Sequence, residues 1–182
     1  MTTSVDKARR GLPWRIADSL DLYHVQAWGQ GYFGINDAGH VVVRPEQRLD
    51  RAVDLFEVVR GLKERELTTP VVVRFSGILA HRLRRLNDAF ARAIAENEYR
   101  NRYAAVFPIK VNQQRLVVEE VFRYGAEFGF GLEAGSKPEL LAVMAMSENS
   151  PGRLLICNGF KDDSYIETAM LATKLGRHIV PV

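Results

Sequence analysis

Strand-like runs begin at Tyr103, Phe128, Arg153 and His178, each 25 residues after the one before, and a helical pattern fills every interval. The strands read as Tyr103–Ile109, Phe128–Leu132, Arg153–Cys157 and His178–Val182. The intervening helices read as Gln113–Tyr124, Ser136–Met146 and Asp162–Leu175. The residues themselves do not repeat, so the period belongs to the architecture. Successive parallel strands need a crossover, usually a helix, and a steady alternation therefore predicts a parallel sheet with helical crossovers. One more unit precedes these. Val71-Val72-Val73-Arg74-Phe75 is an almost continuous β-branched run that suits a strand buried on both faces. A helix from Ser76 to Glu96 follows it, with Leu79, Leu83, Leu86, Phe90 and Ile94 three or four apart.

Two closures satisfy this pattern, an open doubly wound sheet and a (β/α)8 barrel. The open sheet commonly carries a Gly-x-Gly-x-x-Gly fingerprint or a P-loop at a strand–helix junction, and neither motif is present. A barrel takes about 250 residues. This chain has 182 and stops on Ile179-Val180-Pro181-Val182, inside or just after a strand, where a bare sheet edge would be exposed. The expectation is the N-terminal part of a (β/α)8 barrel, with about five strands present and strands six to eight absent. A small β segment precedes it. Gly31–Ile35 and Val41–Val43 flank Asn36-Asp37-Ala38-Gly39, the turn formers of a hairpin, and Pro45 ends it. The expected division is a β segment over 1–48 and a partial barrel over 49–182. An amphipathic helix bearing Val53, Phe56, Val59 and Leu62 opens the second part.

Composition narrows the partners. Hydrophobic residues are 47% and charged residues 26%, which permits a packed core and excludes a disordered chain. The net charge is only +3, and the densest basic patch, Arg82, Arg84 and Arg85, alternates with Leu83 and Leu86. That is the wet face of a helix, so no nucleic-acid partner is expected. No apolar stretch reaches the ~20 residues of a membrane span, and Met1–Arg10 lacks the apolar core of a secretory signal. The single cysteine, Cys157, permits no internal disulfide and reads as a core thiol within Leu154–Cys157. The expected setting is cytoplasmic. His24, His40, His81 and His178 show no metal-ligand spacing.

In a barrel of this kind, chemistry gathers at the C-terminal ends of the strands. The residues that stand there are Arg74, Lys110, Glu133, Asn158 and Lys161. Polar residues are the norm in loops, so Arg74 and Lys161 read equally as solvated side chains. Lys110 follows the apolar run Val106–Ile109, and two readings stand. Either it snorkels to water, or it sits on a dry floor where desolvation disfavours the charged amine, as a nucleophilic lysine requires. Glu133 follows Phe128-Gly129-Phe130-Gly131-Leu132, whose glycines leave room for a ligand or another backbone. It is either a surface carboxylate or a partner for Lys110 or a cofactor cation. Ser136 and Glu139 have capping-box spacing, Ser136 accepting from the Glu139 amide and the Glu139 carboxylate reaching back. A helix start there could also hold an anion.

Several runs then resemble one family together. Phe107-Pro108-Ile109-Lys110-Val111-Asn112-Gln113-Gln114 is similar to the pyridoxal-phosphate lysine segment of biosynthetic arginine decarboxylases. Gly129 to Leu140 and Ile156 to Asp162 resemble the segments that follow in that family, and Trp28–Phe33 and Arg74-Phe75 resemble upstream ones. Order and spacing agree from about residue 14 to the end. The resemblance implies a barrel group shared with ornithine and diaminopimelate decarboxylases and alanine racemase. It implies that Lys110 forms the Schiff base with pyridoxal 5'-phosphate, that Glu133 acts electrostatically beside it, and that Asn158 lies in the cofactor site. The implied reaction is decarboxylation of L-arginine to agmatine and CO2, toward polyamines and spermidine. Magnesium and a homo-oligomeric full-length enzyme are implied as well. The family's later strands, phosphate loop and C-terminal β domain have no counterpart here, so this chain alone is expected to be inactive. A diaminopimelate- or carboxynorspermidine-type decarboxylase and a non-catalytic pyridoxal-phosphate-binding remnant are the alternatives.

Overall fold

The computed structural model of the chain describes residues 13–147, 150 and 152–182. The Met1–Arg10 segment, read above as no secretory signal, lies outside the described residues. The chain divides into two compact units, Met1–Ile78 and Leu79–Val182. The boundary expected after residue 48 falls inside the first unit.

The first unit is a small three-stranded antiparallel sheet with short helices. Helices α1 (Ile16–Leu22) and α2 (Val25–Gly29) lead into β1 (Phe33–Ile35) and β2 (Val41–Val43), which form the expected hairpin with Gly34 opposite Val42. Asn36 builds the turn, its side-chain oxygen accepting from the Ala38 and His40 backbone N–H groups, while Gly39 supplies the positive φ of 82°. Pro45 does not end the sheet. A third strand, β3 (Val53–Asp54), pairs with β2, and Asp54 then caps α3 (Leu55–Glu64) by accepting from the Phe56 and Glu57 N–H groups. The other Asp54 oxygen receives the His40 ring nitrogen and the Asn36 amide, both at 2.8 Å. Burial pushes the Asp54 carboxyl up, but the bonds from His40, the two backbone N–H groups and Asn36 outweigh it and hold the group below its ordinary 3.8. A carboxyl with a lowered folded-state pKa contributes stability that is present above the unfolded value and lost as pH falls through the folded one. Asp54→Asn should therefore flatten the acid limb of the unfolding curve below about pH 4, as followed by circular dichroism.

Val71–Phe75 is where the expectation fails. These residues pair with no strand among the described residues, and Val72 is 80% exposed. A β-branched run has the stiffness of a strand, but a strand exists only by pairing, and no partner strand among the described residues takes this run. Among the described residues the parallel strands number four, where about five were expected. The helix that follows, α4 (Ser76–Glu96), forms as predicted, yet none of its residues is buried and Leu86 and Phe90 are each 43% exposed. Its pattern is amphipathic, but the apolar face is only partly covered: Leu79, Leu83 and Ile94 are half-buried, and the Phe90 ring stacks on Tyr103 at 3.8 Å.

The second unit carries the sheet. Its strands are β4 (Val106–Pro108), β5 (Gly131–Ala134), β6 (Leu154–Cys157) and β7 (His178–Pro181), all parallel and in chain order. Helices α5 (Arg115–Tyr124), α6 (Lys137–Met146) and α7 (Asp163–Lys174) alternate with them. Chain order without a reversal is that of a barrel wall, whereas a doubly wound sheet reverses at its switch point. The wall is not closed in this chain. One sheet face packs on the helices: Leu132, Ala134, Leu155 and Cys157 join Val118, Leu140, Val143, Tyr165 and Ala169 in the core. The opposite face, with Val106, Glu133, Ile156 and Val180, is only half-buried. The alternation of half-buried and buried residues is regular in β6, whereas β4 is half-buried throughout. At the foot of the sheet, Arg153 lies over the Phe122 ring at 3.4 Å and donates to the Phe122 and Phe130 carbonyls. Burial lowers its pKa to about 10. No described helix is long and apolar enough to cross a membrane.

Candidate cofactor-binding site

The C-terminal ends of β4, β5 and β6 bring three of the expected residues together. Strand β4 ends at Pro108 and turns into a 3-10 turn, Ile109–Val111, which carries Lys110. The ladder sets Pro108 opposite Glu133 and Glu133 opposite Ile156, so neighbouring strand ends deliver their side chains side by side. The Lys110 Nζ stands 3.9 Å from the Glu133 Oε1, the long end of an ion pair. The Asn158 amide approaches the same carboxylate oxygen at 3.5 Å. Asn158 is itself fixed, its N–H donating to the Ala134 carbonyl at 2.9 Å and its side-chain oxygen accepting from the Gly159 N–H at 2.8 Å.

Lys110 and Glu133 sit in different surroundings. The Glu133 side chain is 16% exposed and that of Lys110 is 60% exposed. Of the two readings of Lys110, its exposure agrees with the side chain that reaches to water: Ile109 is buried, but its neighbour extends into solvent. Arg74 belongs to the first unit. Lys161 turns back on its own loop, donating to the Gly159 carbonyl at 2.8 Å and to the Val182 carbonyl.

Tyr165 is a buried strut that the sequence reading did not single out. Its hydroxyl donates to the Ala134 carbonyl at 2.8 Å and lies 3.4 Å from the Asn158 carbonyl. One side chain on α7 thereby touches the chain just past Glu133 and at Asn158. Burial pushes its phenol up, and the neighbouring Cys157 adds to that. Tyr165→Phe should cost about 1 kcal/mol, because the Ala134 carbonyl loses one of its two donors and keeps the Asn158 N–H; chemical denaturation of the two proteins checks this.

Two glycines lie against a neighbouring backbone. Gly131 does not make room for a ligand: a Cβ there would collide with the Leu154 backbone oxygen of the next strand. Gly159, at φ 81°, lies against the Gly135 carbonyl in the same way, so the loops leaving β5 and β6 close on each other without side chains. The start of α6 is closed as well. Ser136 accepts from the Glu139 N–H at 3.4 Å. The Glu139 carboxylate, however, reaches past the expected Ser136 N–H to the Gly135 N–H at 2.7 Å. An anion would find those donors engaged.

A parallel β/α wall with an exposed lysine amine and a carboxylate on adjacent C-terminal strand ends is the arrangement of barrel domains that hold a cofactor at that rim. Residues 81–175 match the family of pyridoxal-dependent decarboxylases through their pyridoxal binding domain, and the chain belongs to that family. It is 56% identical over 163 residues to the biosynthetic arginine decarboxylase of Thermosynechococcus vestitus, which covers 90% of this chain and 25% of the relative. It is 51% identical over 179 residues to biosynthetic arginine decarboxylase 1 of a Synechocystis strain, covering 93% and 26%. The crystal structure of the biosynthetic arginine decarboxylase of Campylobacter jejuni superposes with a TM-score of 0.79 at 31% identity, covering 87% of this chain and 26% of that one. The chain thus spans about a quarter of the length of these relatives.

The residues present fit pyridoxal phosphate at its aldehyde end. An amine that is 60% exposed is accessible to a carbonyl compound, and a largely buried carboxylate beside it can balance a cation. Among the described residues, no group of three or more His, Cys, Asp or Glu side chains is arranged to hold a metal ion, so no role is derived for magnesium.

Proposed function

We propose that this chain forms the cofactor-bearing part of a pyridoxal-phosphate-dependent arginine decarboxylase, with Lys110 as the attachment point and Glu133 and Asn158 as its neighbours. The observation that supports this best is the Lys110–Glu133 pair at 3.9 Å across adjacent strand ends, in a chain of this family. When bound, pyridoxal phosphate supplies an electron sink for the pair of electrons left behind as CO2 departs.

The chain's own residues do the rest in this reading. In its neutral form the Lys110 Nζ would hold the cofactor through its carbonyl carbon, the carbonyl oxygen leaving as water. Glu133 is the nearby base that can hold that proton and the carboxylate that balances a positive nitrogen at the same place. Asn158 orients Glu133 by donating to Oε1 and is itself locked by Ala134 and Gly159. Tyr165 holds the two strand ends in register from behind. The substrate L-arginine, a homo-oligomeric whole enzyme and a cytoplasmic setting belong to the same proposal, and so do agmatine as product and a place in polyamine synthesis.

A segment exchange tests the substrate. The homologous quarter of the Thermosynechococcus relative is replaced by this chain, and CO2 release is followed from arginine, ornithine and diaminopimelate. Release from arginine above the other two is expected. Release from ornithine or diaminopimelate in preference to arginine overturns the arginine assignment.

A further inference from the structure

We propose that Glu139 is a positioning residue that sets the distance between Lys110 and Glu133, an inference that rests on Lys110 as the cofactor lysine. The β4–β5 ladder ends at the Pro108–Glu133 pair. Beyond it, the turn carrying Lys110 and the loop following Glu133 leave the sheet, and backbone pairing no longer holds them together. The Glu139 carboxylate spans that gap. One oxygen accepts from the Gln113 side-chain amide at 3.1 Å, three residues after Lys110. The other accepts from the Gly135 N–H at 2.7 Å, two residues after Glu133. Gly135 in turn lies beside the lysine: a Cβ on it would stand 3.9 Å from the Lys110 Cδ. One carboxylate therefore ties the two functional turns to the first turn of α6.

The tie is separable from helix initiation. Ser136 caps α6 through the backbone N–H of Glu139, and that bond survives any change of the side chain. It is also separable from charge. In Glu139→Gln the amide oxygen can take the Gly135 N–H, and the amide nitrogen can donate to Gln113 once the Gln113 amide turns over. Shape and both bonds persist while the negative charge is lost. Glu139→Ala loses both bonds. Gln113→Ala, at an exposed site, loses one and leaves the helix start untouched.

The test uses the 182-residue chain with pyridoxal phosphate as the probe. The rate of covalent attachment at Lys110 is measured by borohydride trapping and peptide mapping, with unfolding curves taken alongside. Glu139→Ala is expected to slow attachment about tenfold and Gln113→Ala about threefold, with the double variant no slower than Glu139→Ala alone because both act through one contact. Glu139→Gln is expected to stay within about twofold of the parent chain, since neither bond is lost. If the parent chain is modified at Lys110 and both alanine variants react at the parental rate, the positioning role is overturned. If Glu139→Gln is as slow as Glu139→Ala, charge rather than position is at work, and the proposal is overturned. If the parent chain itself does not react at Lys110, the cofactor-lysine reading fails first.

Discussion

Lys110→Ala is expected to abolish covalent capture of pyridoxal phosphate at the strand ends and to reduce CO2 release in the segment-exchange enzyme by about a thousandfold, the scale of removing a group that binds or transfers at the reacting centre. The reason is chemical. Only a primary amine of sufficient reach can hold the cofactor carbonyl, and the neighbouring lysines are placed for other work. Lys137 donates to the Ser164 hydroxyl and Lys161 to the Gly159 and Val182 carbonyls. Lys110→Arg should fail as completely, because a guanidinium keeps its charge and does not become a free amine. The variant should fold as the parent does. The Lys110 side chain is mostly exposed, and its pairing with Glu133 at 3.9 Å is loose, the kind of contact that contributes little to stability. Loss of capture without loss of structure is the expected combination, read by mass spectrometry and circular dichroism on the same samples.

Gly131→Ala should be among the most destabilising single changes in the second unit, at about 3 kcal/mol. Gly131 opens β5, and its Cα faces the Leu154 backbone oxygen of the adjoining strand so closely that a methyl group would overlap it. A side-chain neighbour could rotate away, but a backbone oxygen in a parallel ladder cannot move without breaking the β5–β6 pairing. That pairing aligns Glu133 with Ile156, and so with Asn158 two residues on. Gly152→Ala is the matching control. Nothing lies within 4 Å of a Cβ at Gly152, and a change within about 0.5 kcal/mol is expected. Urea unfolding of the two variants should separate them clearly.

Much of the second unit was legible because its signals are local and periodic. The four parallel strands and the three helices between them lie within a few residues of their sequence positions. Starts at Val106, Gly131, Leu154 and His178 replace the regular 25-residue spacing. That Lys110, Glu133 and Asn158 stand together at the strand ends was legible because a parallel strand delivers whatever follows it to one rim. What was not legible depends on partners that no local pattern encodes. Val71–Phe75 carries strand-forming residues, yet strand formation is decided by a neighbour's backbone. The apolar stripe on α4 reads the same whether covered or bare. Pro45 looked like the end of the small sheet, but Val53 and Asp54 return to pair with β2. Glu139 was read as half of a local capping box, because Ser-x-x-Glu spacing is a four-residue signal. Its bond to Gln113 joins residues 26 apart, and only the fold brings them together. Tyr165 was invisible for the same reason: nothing in its sequence neighbourhood says that its hydroxyl meets the Ala134 carbonyl.

The most direct measurement is a peptide map of the chain after exposure to pyridoxal phosphate and borohydride. A single modified peptide spanning Lys110, formed in proportion to cofactor and absent from Lys110→Ala, is the predicted result. Modification spread evenly over Lys63, Lys137, Lys161 and Lys174, with no preference for Lys110, would contradict the account.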